Sequence, residues 1–327
     1  MPSIQIQFRA GYDTILKIPK ISETIMALRN TLIIKLGALG DVLRTTPLLR
    51  CCKGPVTWIT EPEAFPLLAG NPRIQRLLPI TAAATVRRHA FDILVNFDED
   101  ERACRLAAET RARRKVGARL QDGFKTYCPA SAPWFDMSLI SRLGPARADR
   151  LKTRGRRCYQ HYLFQACGLQ FRGEEYLLPL NPAAISRSIV ALETRVGDKW
   201  PAKAWSRFPE LSCALQHEGF SVTMLRQKST LAQYLADINR CGLLVAGDTL
   251  AMHVGLALRK AVVALFNCTS PHEIYGYGRM AKISHERLHD FFYRKDAAAE
   301  IAGGISAARV MRAVHRLSGR DISLRMT

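Results

Sequence analysis

Two glycines and an acid follow an apolar run near the start of the chain. Residues 30–50 read NTLIIKLGALGDVLRTTPLLR, in which TLIIKL is apolar and largely β-branched, as in a strand buried within a parallel sheet. Gly37 and Gly40 permit a tight turn at the carboxyl end of that strand, where α/β proteins form their sites. Asp41 then begins a helix and is a candidate catalytic acid. Taken alone, it is better explained as an N-cap carboxylate that needs no function.

A second stretch with functional residue types covers residues 241–271, CGLLVAGDTLAMHVGLALRKAVVALFNCTSP, and predicts strand, turn, helix, strand and turn. Asp248 and Thr249 fall at the start of the helix, where unpaired backbone N–H groups and the helix dipole favour an anion. His253 lies on that helix, and a partly buried histidine bonded to a carbonyl explains it equally well. Two strand ends would bring several hydroxyl groups to one phosphate region, namely those of Thr249, Thr269 and Ser270.

Two lysines between two tryptophans mark the third stretch, ETRVGDKWPAKAW over residues 193–205. Lys199 and Lys203 follow a predicted strand end, where their charge could neutralise a leaving phosphate. The alternative is that Lys203 is a solvated helix residue. For Trp200 and Trp205, a place in the core is the preferred explanation.

The chain of 327 residues carries 48 basic and 28 acidic residues, a formal net charge of +20. Between Arg102 and Arg157 there are fifteen basic residues and four acids, which predicts one basic face in the first half. Such charge attracts nucleotides, nucleic acid or anionic lipid. A nucleic-acid-binding protein is an alternative class, but no zinc-finger spacing or RNP-like aromatic block supports it. A scattered basic surface without a dedicated partner is a second alternative.

Spacing and hydropathy disfavour several other classes. The nine cysteines lack metal-ligand spacing and are interpreted as reduced thiols of a cytoplasmic protein. No apolar run reaches the length of about eighteen residues typical of a membrane span, and the N-terminus lacks the order of a secretory signal. The glycine turn is one glycine short of the GxGxxG fingerprint, so a nicotinamide enzyme is not favoured. We expect a cytoplasmic protein with no metal and no organic cofactor.

Apolar strands alternate with helical segments, which predicts an α/β protein with parallel sheets. The predicted strands lie at 31–36, 56–60, 76–80, 91–97, 188–194, 220–225, 242–247 and 261–266. The predicted helices lie at 157–167, 203–217, 229–239, 249–258 and 306–317. The prolines and asparagine of YLLPLNPAAI, residues 176–185, indicate an interdomain linker. Two α/β halves joined in this way leave a cleft, where ligands of such proteins bind.

Several of these blocks together resemble glycosyltransferase family 9, the family of the ADP-heptose:lipopolysaccharide heptosyltransferases. The likeness lies in LIIKLGALGDVLRTTPLL, DKWPAKAW, LLVAGDTLAMHVGLALRKAVVALF and YGYG, in that order. It implies a GT-B architecture, two Rossmann-like domains with parallel sheets facing a central cleft. We expect an N-terminal extension of uncertain order at 1–29, an acceptor-binding domain at 30–180 and a nucleotide-sugar-binding domain at 181–327.

The resemblance also implies roles for individual residues. The GDxxxxxP block of the family falls on Gly40, Asp41 and Pro47, which makes Asp41 the general base. The implied donor-binding residues are Lys199, Lys203, Asp248, Thr249, His253 and Thr269, with Gly37, Gly40 and Ser270 in the turns near the phosphates. Of the two lysines, Lys199 is preferred. Leu250 and Asn267 depart from the usual family residues and leave the identity of the sugar open.

The reaction implied is an inverting, metal-independent transfer of a sugar, with ADP-heptose the best-known donor, to a hydroxyl of a lipopolysaccharide-core or related glycan. The basic segment then becomes a surface for a phosphorylated or lipid-linked acceptor, with peripheral contact to the inner face of the inner membrane and no nucleic acid. The acceptor-surface residues are Arg111, Arg113, Arg114 and Lys115. A non-catalytic relative that binds only nucleotide is a further alternative.

Overall fold

The structure, a computed structural model, describes residues 28–296 and 298–320, so the predicted extension at 1–29 lies outside the described residues except for its last two. The chain forms two α/β domains, each built on one sheet. The strands are β1 Thr31–Ile34, β2 Val56–Thr60, β3 Arg76–Pro79, β4 Ala90–Asn96, β5 Arg111–Gln121, β6 Phe124–Tyr127, β7 Ile189–Glu193, β8 Ser221–Met224, β9 Leu243–Gly247, β10 Ala261–Phe266 and β11 Met280–Ser284. The helices are α1 Leu39–Thr45, α2 Phe65–Leu68, α3 Ala83–Arg87, α4 Glu101–Glu109, α5 Ala132–Phe135, α6 Pro145–Arg154, α7 Tyr159–Ala166, α8 Phe208–His217, α9 Leu231–Asn239, α10 Leu250–Ala257, α11 Ala299–Gly303 and α12 Ala307–Ser318.

The N-terminal domain has a six-stranded sheet in the order β3-β2-β1-β4-β5-β6, parallel except for β6. At its centre, β1 pairs with β2 and β4 over all four of its residues, and all four are buried. Burial on both faces explains the unbroken apolar run TLII. Because parallel strands end at the same edge of a sheet, the loops after β1 and β4 meet there.

The C-terminal domain has a five-stranded parallel sheet in the order β11-β10-β9-β7-β8. Two adjacent strands inside this sheet, β9 and β10, are buried at every residue. The last helix, α12, covers one face of this sheet through Val310, Met311 and Val314. The turns at 248–249 and 267–270 follow β9 and β10, so they lie side by side at the carboxyl edge.

All eight predicted strands and all five predicted helices are present, and the two-domain α/β fold is confirmed. The helix predicted from residue 203 begins only at Phe208, because Pro201–Lys203 forms a 3-10 turn. The sequence patterns miss β5, β6 and β11. Asp122 and Gly123 join β5 to β6 with φ of 51° and 81°. This Asp-Gly pair is a strong hairpin signal that the basic composition of β5 obscured.

Helices α1 and α10 join the two domains at the base of the cleft. A Cβ atom at Gly40 would lie 2.7 Å from Cδ2 of His253, so only glycine allows this approach. One apolar core therefore continues from Val42 of α1 to Met252 and Val254 of α10. The contact brings the carboxyl edges of the two sheets towards each other.

Candidate active site

Asp41 lies at the carboxyl edge of the N-terminal sheet, as the third residue of α1, with 35% of its side chain exposed. The helix begins at Leu39 after Ala38, so Asp41 is not the N-cap residue. The explanation of Asp41 as an N-cap carboxylate is therefore wrong. The carboxylate oxygens of Asp41 instead approach two cations, Arg44 Nε at 3.0 Å and Lys35 Nζ at 3.7 Å.

The charges around Asp41 keep it ionised. Burial raises the pKa of Asp41, but Arg44 and then Lys35 outweigh this effect and hold the pKa below its usual value. His253 lowers the pKa further and Asp248 raises it, so charges of the C-terminal domain act on this carboxylate across the cleft. At neutral pH the group can therefore accept a proton or a hydrogen bond from a hydroxyl.

A second acid, Asp98, fixes the loop that leads to Asp41. It is buried after β4, and its Oδ2 accepts hydrogen bonds from Lys35 Nζ at 3.2 Å and from the N–H of Leu36 at 2.9 Å. The N–H of Gly37 adds a longer bond of 3.4 Å. Burial lowers the pKa of Lys35, but Asp41 and Asp98 together raise it above its usual value. Lys35 is thus a permanent cation held between two carboxylates.

Arg44 connects the acid site to the C-terminal domain. Its guanidinium lies 4.1 Å from the ring centroid of Tyr159, and its Nη1 lies 3.9 Å from Oε2 of Glu273. The hydroxyl of Tyr293 donates to Oε1 of Glu273 at 2.8 Å. Burial lowers the pKa of Arg44, yet Asp41 and Glu273 raise it overall. The guanidinium is therefore a fixed positive charge behind Asp41.

Lys203 and Asp248 form an ion pair on the other side of the cleft. The Nζ atom of Lys203 donates to both Oδ2 and the backbone oxygen of Asp248, each at 2.8 Å. Burial raises the pKa of Asp248, but Lys203 lowers it to about 2. Lys199, the lysine preferred from the sequence, is exposed in the turn after β7. The structure therefore brings Lys203, rather than Lys199, to the predicted phosphate region.

Two unpaired hydroxyl groups lie beside this ion pair. Thr249 is the N-cap residue of α10, and the side-chain oxygens of Thr249 and Thr269 are buried with no hydrogen-bond partner among the described residues. The Thr269 hydroxyl lies near the carboxylate of Asp248 and lowers its pKa. An unpaired buried polar group costs about 1–3 kcal/mol. Ser270 differs, because its hydroxyl accepts from the N–H of His272 at 3.3 Å.

His253 is buried between Asp41 and Asp248, and Tyr176 of the interdomain linker contacts its ring. The amide of Gln160 donates to the Tyr176 hydroxyl at 3.3 Å, and this hydroxyl lies 3.1 Å from Nδ1 of His253. Burial and then Arg44 lower the pKa of His253 to about 4, so the ring is neutral at pH 7. The tautomer of the neutral ring sets which group donates in the bond between Tyr176 and Nδ1, and Nε2 is the ring nitrogen beside Gly40.

The cationic residues predicted as an acceptor surface lie away from this cleft. Arg111 is opposite Ala90, at the amino end of β4, about 20 Å along the strands from the carboxyl edge. Arg114 and Lys115 donate to backbone carbonyls of their own domain. Arg113 is also near the amino end of β5. These four side chains are not brought together with the two acid sites.

Three residues of the site are not singled out by the sequence patterns, namely Lys35, Arg44 and Asp98. Lys35 is the one cation in the run TLIIKL, an unusual residue at the end of a buried strand. Asp98 follows a predicted parallel strand, so the rule that predicts a site after β1 also applies to it. Arg44 is three residues after Asp41, the spacing at which helical side chains meet.

Metal-binding groups and disulfides give no further site. In the part of the chain that the structure describes, no cluster of three or more His, Cys, Asp or Glu side chains is arranged to hold a metal ion. All nine cysteines lie in that part and are free thiols.

Comparison with known families supports the resemblance from the motifs. Residues 210–296 match the sequence model of glycosyltransferase family 9 (heptosyltransferase). The matched segment contains Asp248, Thr249, His253 and Thr269 but neither Asp41 nor Lys203. No curated protein is significantly similar to the chain in sequence.

Solved structures resemble the chain over both domains. A family 9 glycosyltransferase from Veillonella parvula is 18% identical, with a TM-score of 0.63 over 90% of this chain and 98% of that chain. The E. coli heptosyltransferase WaaC with ADP is 14% identical, with a TM-score of 0.57 over 88% and 99% of the respective chains. The iron-containing dodecameric glycosyltransferase TibC of enterotoxigenic E. coli is 15% identical, with a TM-score of 0.52 over 89% and 77%.

The expected resemblance to glycosyltransferase family 9 is therefore confirmed, by sequence in the C-terminal domain and by fold in both domains. The chain therefore has the GT-B fold, and its C-terminal domain is similar in sequence to glycosyltransferase family 9.

Proposed function

We propose that the chain is an inverting, metal-independent glycosyltransferase that moves heptose from ADP-heptose to a hydroxyl of a lipopolysaccharide-core or related glycan. The observation that carries the proposal is the pairing, across one cleft, of the partly exposed carboxylate of Asp41 with the cationic site of Lys203 at the start of α10. The proposed donor agrees with two of the relatives, since WaaC was solved with ADP and TibC with ADP-D-β-D-heptose.

Asp41 is the general base of the proposed reaction. The acceptor oxygen forms a bond to the anomeric carbon while the bond from that carbon to the phosphate oxygen breaks. Asp41 takes the hydroxyl proton as the oxygen becomes acidic, and the nucleoside diphosphate leaves with the electron pair. Because its pKa is low, the carboxylate is always available but is a weak base. A single displacement from the opposite face inverts the anomeric configuration.

The start of α10 holds the leaving diphosphate. The first backbone N–H groups of the helix and the Lys203 ammonium supply positive charge, and the hydroxyls of Thr249 and Thr269 supply the hydrogen bonds that they lack among the described residues. Asp248 keeps Lys203 in place and offers its remaining oxygen to sugar hydroxyls. In this proposal the side-chain and helix charges take the role that a metal ion has in other transferases.

A thermal-shift panel of ADP, UDP and GDP tests the donor, because a ligand that binds only the folded state raises the melting temperature. We expect the largest rise with ADP. The transfer product, followed by NMR, should have the opposite anomeric configuration to the donor, and a chelator should not change the rate. No rise with any nucleotide would contradict the proposal, and retention at the anomeric carbon would contradict the single displacement.

We also propose that the N-terminal domain contacts the inner membrane peripherally while it binds a lipid-linked acceptor. No described helix is long and apolar enough to cross a membrane. Leu139 is 96% exposed, Leu143 and Leu151 are partly exposed, and the basic helix α6 lies among them. Exposed apolar and basic side chains together favour anionic lipid. Leu139→Ser combined with Arg150→Ser should weaken binding to phosphatidylglycerol vesicles, and unchanged binding would contradict this contact.

A further inference from the structure

A second cavity, of about 520 Å³, lies between the two domains beside the proposed active site. The N-terminal domain contributes the segment before α7, the first turn of that helix and Phe171. The C-terminal domain contributes His272, residues 274–276 and Lys282 of β11. Its volume is within the range of about 300–1,000 Å³ that is usual for small-molecule sites. Among its described lining residues there is none of the base or donor side chains assigned above.

The charge of this cavity is one-sided. Three of its lining residues carry cationic groups, Arg156, Arg157 and Lys282, and no described lining residue is an acid. Burial lowers the pKa of Lys282. Burial and then Arg157 lower the pKa of His161, while burial, Arg156 and Lys282 lower the pKa of His272. Both histidines therefore experience the positive field of the cavity.

The three cations are held by neutral groups. Arg156 donates to the backbone oxygens of Thr153 and Gly155, and Arg157 donates to Nε2 of His161 at 2.8 Å. The Nζ atom of Lys282 donates to a backbone oxygen at 2.5 Å. None of the three has a carboxylate partner within ion-pair distance in the described residues. Their charge is therefore oriented but not neutralised, which favours an anionic ligand.

The cavity also has an aromatic wall. The rings of Phe171 and Tyr275 meet edge to face, with centroids 5.0 Å apart, and both line the space. Such a wall provides a flat apolar surface beside the cationic groups. A ring-shaped ligand that carries one anionic group matches both features.

The cavity is adjacent to the acid site through two pairs of sequence neighbours. Cys158 lines it, and the next residue, Tyr159, supports the Arg44 guanidinium at 4.1 Å. His272 lines it, and the next residue, Glu273, lies 3.9 Å from Arg44. Arg44 in turn contacts the proposed base, so one buried guanidinium connects the wall of the cavity to Asp41.

We propose that this cavity binds an anionic group, a phosphate or a carboxylate, on a sugar unit of the acceptor. The assignment of the ligand to the acceptor rests on the proposed transfer reaction, whereas the affinity for an anionic sugar follows from the cavity itself. Arg157 and Lys282 contact the anion from opposite domains, and Tyr275 contacts the ring.

Calorimetric titration of the whole chain with glucose 6-phosphate, glucuronate and glucose tests the site. We expect one or both anionic sugars to bind at least about tenfold more tightly than glucose, and their ranking distinguishes phosphate from carboxylate. Arg157→Ala and Lys282→Ala should each weaken that binding about tenfold. Arg240→Ala, a change at an exposed cation outside the cavity, is the control and should leave it within about twofold.

The site is overturned if neither anionic sugar binds more tightly than glucose, or if Arg240→Ala weakens binding as much as the two cavity variants. The titration needs neither donor nor catalysis, so it separates this site from the proposed function. Anionic sugar binding without any nucleotide binding would leave the cavity standing and contradict the transfer reaction. Sugar transfer without anionic sugar binding would support the proposed reaction and contradict the proposed cavity site.

Discussion

The two sheets of the protein each end in an aspartate beside a lysine, but the two sites differ in how completely their polar groups are paired. Asp41 lies between Lys35 and Arg44, and Asp98 forms a second ion pair with Lys35. Asp248 has one cation, Lys203, beside two buried hydroxyls that lack partners among the described residues.

This difference agrees with the different roles that we propose for the two sites. A proton acceptor must be held in one place and ionised, which the cations around Asp41 achieve. A site for a leaving diphosphate must supply unused donors, which the start of α10 supplies. The N-terminal edge therefore holds its acid by ion pairs to its own cations, whereas the C-terminal edge leaves two hydroxyl groups for a ligand. Each of the following variants should affect one side of this comparison more than the other.

Asp41→Asn should reduce kcat for sugar transfer by about 10²- to 10⁴-fold, the usual contribution of a general base. The measurement is transfer from ADP-heptose to a lipopolysaccharide-core acceptor. Asp92→Asn, a change of a more exposed acid in the same domain, is the matched control and should be neutral. A transfer rate like that of the unmodified protein in Asp41→Asn would refute its role as base.

Lys203→Ala should reduce kcat by about 10²- to 10³-fold, because it removes one donor to the developing phosphate charge. Lys199→Ala is the informative comparison, since Lys199 is exposed and Lys203 is paired with Asp248. Steady-state kinetics of both variants decide between the two lysines. A larger loss in Lys199→Ala would restore the preference drawn from the sequence.

His253→Gln should change how stability depends on pH. The pKa of His253 is about 4 in the folded protein and near 6.5 when unfolded, so between these values the unfolded chain binds more protons. The protein therefore loses stability as pH falls from 6.5 to 4, by up to about 3 kcal/mol from this residue. Urea unfolding at several pH values should show the variant losing less than the unmodified protein. Parallel curves would contradict a buried neutral histidine.

Gly40→Ala should destabilise the contact between α1 and α10, because the new Cβ would lie 2.7 Å from the ring of His253. Overpacking of this kind costs about 1–3 kcal/mol. The melting temperature should fall in Gly40→Ala but not in Gly197→Ala, where a Cβ has no atom within 4 Å. Equal melting temperatures of the two variants would contradict a close contact between α1 and α10 at Gly40.

Much of the fold follows from the sequence, since buried parallel strands are long apolar runs and every predicted one is present. The strand β5 escapes this pattern because RARRKVGARLQ satisfies its polar side chains through solvent and carbonyls. Its partner β6 is signalled only by the Asp122-Gly123 turn, which depends on backbone conformation rather than on hydropathy.

The site is predictable where it depends on local chain geometry and unpredictable where it depends on packing. Asp41 and Asp248 follow central strands, so their position at the sheet edges is readable from the sequence. Which of Lys199 and Lys203 reaches Asp248 is decided by the 3-10 turn at Pro201–Lys203. The ring of Tyr159 that contacts Arg44 belongs to a helix more than a hundred residues away in the chain. Local sequence spacing therefore does not predict this contact.

The most direct test of the division between the two acid sites is a titration of the unmodified protein, Asp41→Asn and Lys203→Ala with ADP. We expect Asp41→Asn to bind ADP within about twofold of the unmodified protein, and Lys203→Ala to bind it at least about tenfold more weakly. Equal weakening in both variants, or undiminished binding in Lys203→Ala, would contradict this division.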